Sequence, residues 1–264
     1  MSDRDGTLSA LALLSRSLGE PHKGYLILGE GNTSAAIDSQ SFFVKASGRE
    51  LRNAGPAAFV EMRFAPVLEL LTIAELSQET VSKAYAAAQI DGPGDQRPAD
   101  RRPSDRRPSV ETLLHAVCLG LPDVSFAAHT HPTAVNALTC STSYPDNLKG
   151  RMYPDEIVML GAESVCVPYR DPGADLGREI KVRADAFVEQ HGQAPKVLYL
   201  QNHGMIALGA NARAVEQITA TAVKAAEIRL RALLAGGISL LPEHEVAHIA
   251  SRSDELYRRR HLGA

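Results

Sequence analysis

The sequence predicts an α/β fold, and three observations carry that prediction. Short apolar runs, among them Val124-Ser125-Phe126-Ala127-Ala128 and Val197-Leu198-Tyr199-Leu200, have the length and content of buried strands. Between such runs lie stretches with apolar residues at helical spacing, the longest an alanine-rich segment from Ala212 to Ala235. At 264 residues the chain can bury a substantial core, and nothing in its composition marks a boundary, so a single domain over 1–264 is expected.

Taken in order, Thr7 to Leu18 carries leucines at 8, 11, 13, 14 and 18 and stops at Gly19, an amphipathic helix with a capping residue at each end. Tyr25–Leu28 and Phe42–Lys45 read as strands that bracket the small polar stretch Gly29-Glu30-Gly31-Asn32-Thr33-Ser34. Ser77 to Gln89 reads as a helix. From Asp91 to Pro108, Arg97, Arg101, Arg102, Arg106 and Arg107 are interleaved with prolines at 93, 98, 103 and 108. Proline at that density forbids a helix or a central strand, so a flexible surface loop is expected. An arginine from it would suit an anionic substrate through its planar fork of donors.

Ser109-Val110-Glu111 then opens a helix with Leu113, Leu114, Val117 and Leu121 on its apolar side. Ser109 is the predicted N-cap, and Glu111 falls in the first turn, where the helix dipole favours an ionised carboxylate. His115, four residues on, shares its face and reads as a hydrogen-bonded structural histidine. His131-Pro132 begins a helix through Thr139. Tyr153-Pro154-Asp155-Glu156 and Pro168 to Gly173 read as loops at strand ends. Strands at Val165–Pro168, Lys196–Leu200 and Met205–Leu208 alternate with helices at Asp175–Gln190 and Ala212–Ala235, and a charged C-terminal helix over 242–264 is expected to run to about Arg260.

Composition narrows the function classes. A net charge of −3 gives no general basic field, and without tryptophan, at 5% aromatics, there is no stacking platform, which argues against nucleic acid as a partner. No apolar run approaches the roughly 18 residues that span a bilayer, so no membrane role is expected. Cys118, Cys140 and Cys166 are odd in number and apolar in setting, which reads as reduced core thiols in a reducing compartment. The N-terminus lacks the layout of a secretory signal, and a cytoplasmic protein is expected.

The chemistry is concentrated in histidines. His129 and His131 lie two apart at the end of an apolar run, so on a strand they share one face. His203, in Gln201-Asn202-His203-Gly204, follows another such run. Three imidazoles converging on one ion, with a fourth position open, is the pattern of a catalytic zinc site. Manganese or cobalt would also accept imidazole and oxygen ligands, although three imidazoles favour Zn2+.

Five blocks, Gly31-Asn32-Thr33-Ser34, Lys45-Ala46-Ser47-Gly48, Arg107-Pro108-Ser109-Val110-Glu111, His129-Thr130-His131-Pro132 and Asn202-His203-Gly204, stand in an order that resembles the class II aldolase and adducin superfamily. The blocks at Arg107–His115 and His129–Pro132 are most similar to the aldolase portion of rhamnulose-phosphate aldolase/lactaldehyde dehydrogenase fusion proteins. No dinucleotide-binding glycine unit follows, so a free-standing lyase is expected.

The resemblance implies a three-layer α/β/α domain on a largely antiparallel sheet, assembled as a homotetramer with active sites between subunits. It implies that His129, His131 and His203 are the metal ligands and Glu111 the catalytic carboxylate. Asn32, Ser47, Gly48 and Ser109 resemble the positions that hold a substrate phosphate, and Arg107 could assist. Val110 stands where phosphate-binding members usually carry a second serine, so a carboxylate is an alternative to the phosphate. Tyr153 or Tyr169, reaching across an interface, would donate a proton to an aldehyde oxygen.

The implied activity is a zinc-dependent aldolase that cleaves a short ketose or ketose phosphate through a metal-stabilised enediolate. A decarboxylase, epimerase or dehydratase acting on a sugar-derived keto acid or sugar phosphate uses the same ligand set. A non-catalytic adducin-like interaction domain is a more distant alternative.

Overall fold

The computed structural model describes residues 4–90 and 106–254. Most of the expected Arg/Pro-rich loop, 91–105, lies outside the described residues, as does the C-terminal helix beyond 254. The elements in chain order are α1 (Arg4–Leu18), β1 (Asn32–Ala36), β2 (Ser41–Lys45), β3 (Phe59–Arg63), α2 (Phe64–Leu68), α3 (Gln78–Ala88), β4 (Gln89–Ile90) and α4 (Thr112–Leu119). They continue with β5 (Phe126–Thr130), α5 (Thr133–Thr139), α6 (Pro154–Leu160), β6 (Val165–Val167), α7 (Ala174–His191), β7 (Val197–Leu200), β8 (Gly204–Gly209), α8 (Ala212–Leu234) and α9 (Glu243–Ser251).

The strands form one sheet in the order β4-β3-β2-β1-β5-β8-β7-β6. Every neighbouring pair is antiparallel except β6 with β7, so the sheet is largely antiparallel, as expected. Strand alternation sends Phe126, Ala128, Met205 and Ala207 to one face, packed with α1, α5, α6, α8 and α9. Ala127, Leu198, Ile206 and Leu208 go to the other, packed with α2, α3, α4 and α7. Leu113 and Ile206 are fully buried there, each contributing about 1.5–3 kcal/mol of transfer free energy. The result is a three-layer α/β/α arrangement in which α4 packs along its length on the second core.

Several local expectations are corrected. Tyr25–Leu28 is not a strand: Gly24 (φ 65°) and Leu28 (φ 51°) turn the chain, and the Tyr25 carbonyl accepts from the His131 N–H at 3.0 Å. Part of the polar stretch after it is a strand, because the small side chains of Asn32, Thr33 and Ser34 fit a central position covered on both sides. Thr33 meets Ser15 of α1 at 2.6 Å, while Ser34 meets His115 of α4 at 2.6 Å. Strand β3 and helix α2 were not foreseen, and Tyr153-Pro154-Asp155-Glu156 opens α6 with proline in its first turn, where a missing N–H costs nothing.

Helix α1 begins at Arg4, so Thr7 lies inside it, and Pro132 is the N-cap of α5 and not its first residue. The N-cap of α4 is Glu111 (φ −93°, ψ 16°), not Ser109. Of the cysteines only Cys118 is buried; Cys166 is half-buried and Cys140 exposed, which corrects their reading as core thiols.

Candidate active site and metal centre

His129 lies on β5, directly opposite Asn32 of β1 and Ile206 of β8. Its face of the strand looks toward α4. His131 follows one residue beyond the strand, and His203 arrives from the β7–β8 hairpin, whose three-residue turn runs through Asn202 in the left-handed region (φ 54°). Two glycines let the backbones close in. A Cβ at Gly204 would lie 2.5 Å from the Thr130 carbonyl oxygen and 2.7 Å from Cδ2 of His131. One at Gly31 (φ 63°) would meet the His129 carbonyl oxygen at 2.6 Å.

The three imidazoles converge as the sequence predicted. Nε2 of His129 is 2.9 Å from Nε2 of His131 and 3.3 Å from Nε2 of His203. Nitrogens held tetrahedrally at ~2.0–2.1 Å from zinc stand about 3.3 Å apart. Nδ1–H of His129 donates to the Met205 carbonyl at 2.9 Å, which leaves its Nε2 as a lone pair facing the other rings. Nδ1 of His131 has Glu30 Oε2 at 3.7 Å. Burial first, and then the neighbouring imidazoles, lower the pKa to about 3 for His131 and about 4 for His203, with Glu111 opposing. Ring nitrogens pressed together in this way fit a cation, and the three residues form a group that could hold a metal ion.

Glu111 stands at the rim of this cluster, Oε2 3.6 Å from His129 Nε2 and Oε1 3.4 Å from His203 Nε2. Oε2 accepts from Asn32 Nδ2 at 2.7 Å; Oε1 is buried with no hydrogen-bond partner among the described residues. Burial alone would favour the neutral acid, but His129, His203 and the Asn32 donor outweigh it and hold Glu111 below the usual carboxylate range. Because Glu111 spends its side chain here, it does not cap α4. Tyr85 of α3 does that work, its hydroxyl accepting from Leu113 N–H at 3.1 Å and donating to the Val110 carbonyl at 3.3 Å.

The remaining predicted residues lie in two groups. The 107–109 segment runs against 45–47, with Ser47 N–H donating to the Arg107 carbonyl at 2.8 Å and Ser109 N–H to the Lys45 carbonyl at 3.2 Å. This brings exposed Ser47, Gly48 (φ 73°) and Arg107 beside buried Ser109, whose hydroxyl accepts from Asn32 Nδ2 at 3.0 Å. Tyr169 is half exposed; its N–H donates to Gln201 Oε1 at 3.1 Å, two residues before His203, and its hydroxyl to Asp171 at 3.2 Å. Tyr153 is not brought into hydrogen-bond contact with the cluster: its ring lies 5.8 Å from Lys224 Nζ, and its buried hydroxyl has no partner among the described residues.

Sequence reasoning missed the part played by Lys45. Its ammonium is buried and donates to the carbonyls of Gly29 at 3.0 Å and Arg49 at 2.7 Å, tying together the loops on either side of the site. Burial lowers its pKa to about 8 against the pull of Glu111. The signal was there in a charge closing the apolar run Phe42-Phe43-Val44. Tyr85 carried no comparable signal.

Fold and site together define an α/β/α protein with a three-imidazole group able to hold a metal and a buried carboxylate beside it. The chain belongs to the Class II Aldolase and Adducin N-terminal domain family, whose description matches residues 9–230. Among solved structures it is similar to the N-terminal class II aldolase domain of a conserved protein from Thermoplasma acidophilum, at 25% identity and TM-score 0.64, covering 87% of this chain and 94% of that one. It is also similar to YgbL from Escherichia coli, described as a candidate aldolase/epimerase/decarboxylase (17% identity, TM-score 0.68, 94% and 99% covered). A third is L-fuculose 1-phosphate aldolase from Glaciozyma antarctica PI12 (16% identity, TM-score 0.65, 98% and 90% covered). Among curated proteins, none matches the chain at significant similarity. Among the described residues, no helix is long and apolar enough to cross a membrane.

Proposed function

We propose that this protein is a metal-dependent aldolase that cleaves a short ketose or ketose phosphate between the carbons alpha and beta to its carbonyl group. The observation that carries the reading is the orphaned Oε1 of Glu111, buried and 3.4 Å from Nε2 of His203 at the edge of the three-imidazole group. A carboxylate oxygen left without a donor in such a place is suited to taking and returning a proton.

His129, His131 and His203 would hold the cation, and zinc is the proposed ion. When bound, it supplies Lewis acidity that polarises the substrate carbonyl. Ser47, Gly48, Ser109 and Arg107 would hold the anionic end of the substrate through hydroxyls, backbone N–H groups and the guanidinium. As the carbon–carbon bond breaks, the hydroxyl proton of the departing carbon passes by way of the tyrosine hydroxyl to the ionised Glu111 carboxylate, and an aldehyde leaves. The electron pair stays with the ketone fragment, which then takes a proton at carbon from Glu111. In the reverse direction Glu111 removes that proton, and Tyr169, or Tyr153 from a neighbouring copy, protonates the new alkoxide oxygen.

Exposed Ile27, Leu28 and Val110 support assembly with other copies, and a homotetramer in the cytoplasm is the form proposed. The test is metal analysis of the purified protein, followed by a cleavage screen of ketose phosphates, free ketoses and keto acids. Release of an aldehyde, abolished by chelation and restored by zinc, is expected. Carbon dioxide release or turnover untouched by chelators overturns the reading.

A further inference from the structure

We propose that His115, which lies outside the metal-binding group, is a positioning residue that sets which way round the Asn32 amide sits and so reserves Oε1 of Glu111 for the substrate proton. The assignment rests on the lyase reading above.

The two oxygens of Glu111 are unlike. Oε2 is held by Asn32 Nδ2–H at 2.7 Å, and Oε1 has no hydrogen-bond partner among the described residues. That difference exists only while the amide presents its NH2 group to the carboxylate; turned over, its carbonyl oxygen would face the carboxylate and repel it. What selects the orientation is the partner of Asn32 Oδ1, and that partner is Nε2 of His115. The contact is attractive only if Nε2 carries the hydrogen.

A neutral imidazole has one N–H, so Nδ1 must then be the acceptor, and Ser34 Oγ lies 2.6 Å from it with a hydroxyl to donate. The chain runs in one direction: Ser34 O–H to Nδ1, Nε2–H to Asn32 Oδ1, and Nδ2–H to Glu111 Oε2, the second Nδ2 hydrogen going to Ser109 Oγ at 3.0 Å. Each bond polarises the next in the same sense. Secondary structure sets the spacing. Glu111 and His115 sit one helical turn apart at the start of α4, and Asn32 and Ser34 share one face of β1. His115 is fully buried, and burial lowers its pKa to about 3, so the single-hydrogen form persists across the working range.

The experiment uses zinc-loaded enzyme and, as probe, dihydroxyacetone phosphate in D2O, with deuterium uptake beside the carbonyl followed by proton NMR and zinc content measured in parallel. His115→Leu is expected to keep its zinc and the KM of the probe while kcat for exchange falls about 10²-fold, the scale of an angstrom-sized misplacement. His115→Gln puts an amide N–H where Nε2–H stood and is expected to recover most of that loss. Equal loss in both variants, unchanged exchange in His115→Leu, or loss of zinc from it overturns the proposal. Should His115→Leu not fold, Ser34→Ala keeps the imidazole and removes only the hydroxyl that fixes its tautomer. It must then lower kcat several-fold at constant KM, and an unchanged kcat overturns the proposal. No exchange by the unmutated enzyme, or full exchange by Glu111→Gln, sinks the lyase reading itself. Loss in Glu111→Gln with none in His115→Leu sinks this assignment alone.

Discussion

Asn32 and His129 face each other across the β1–β5 ladder. That register sets the residue that grips Glu111 beside the first of the three imidazoles, so the proposed proton carrier and the proposed metal ligands are gauged against one sheet. A rigid strand pair holds such a distance better than a loop does.

Removing one imidazole tests the cation group. His129→Ala should weaken zinc binding by more than the ~10–100-fold that loss of an outer-shell partner costs. Zinc titration with a competing chelator reads this directly, and activity should fall with occupancy.

The carboxylate should behave differently. Glu111→Gln is nearly isosteric and leaves all three imidazoles in place, so zinc content should hold while kcat drops by about 10²–10⁴-fold, the contribution of a positioned acid–base group. Steady-state kinetics at full zinc occupancy would show it.

Crowding the hairpin should disturb the site from outside. The Cβ of Gly204→Ala would press on the Thr130 carbonyl and on the His131 ring. We expect destabilisation of about 1–3 kcal/mol, typical of overpacking, together with weaker zinc binding. Urea unfolding and the same chelator titration measure the two effects.

Tyr85→Phe deletes a single oxygen, the one that caps α4. Loss of a cap costs about 0.5–2 kcal/mol, and the turn carrying Glu111 should loosen with it. Thermal unfolding is expected to shift down and kcat to fall with zinc retained.

Acid should destabilise the metal-free protein through buried histidines. Unfolded His115 takes up a proton near 6.5, whereas in the folded protein burial delays this to about 3. Between those values the unfolded chain binds more protons, so stability rises with pH through the window and is lost as pH falls from 6.5 toward 3; above 6.5 the contribution is fully present and no longer changes with pH. His131 and His203, lowered to about 3 and about 4, act in the same direction. Urea midpoints at a series of pH values test this, and His115→Gln should flatten the acid limb.

The sequence announced the convergence of three imidazoles and much of the frame, because His129, His131 and His203 follow apolar runs whose strand character is written locally. What it hid was pairing over distance. Asn32 and Glu111 are separated by 79 positions, and only the sheet order and the packing of α4 bring them together. Strand β1 was obscured because a central strand squeezed between two helices selects small side chains, and Asn32-Thr33-Ser34 has the composition of a turn. Tyr25–Leu28 misled in the opposite way, being apolar enough for a strand but bent by residues at positive φ. Ser109 looked like a cap by type; Tyr85, from another element, took the cap contact at Leu113 N–H.

Among the described residues strand β8 is the last of eight, yet it lies between β5 and β7 near the middle of the sheet. A ribosome that has released only the first two hundred residues therefore presents β5 with one rim bare, a template for mispairing with other nascent chains. The three-imidazole cluster also cannot close until that final insertion, since His203 enters with the hairpin. Uptake of the proposed zinc ion during refolding should accordingly follow the slowest step of assembly, so that its occupancy reports completion of the sheet.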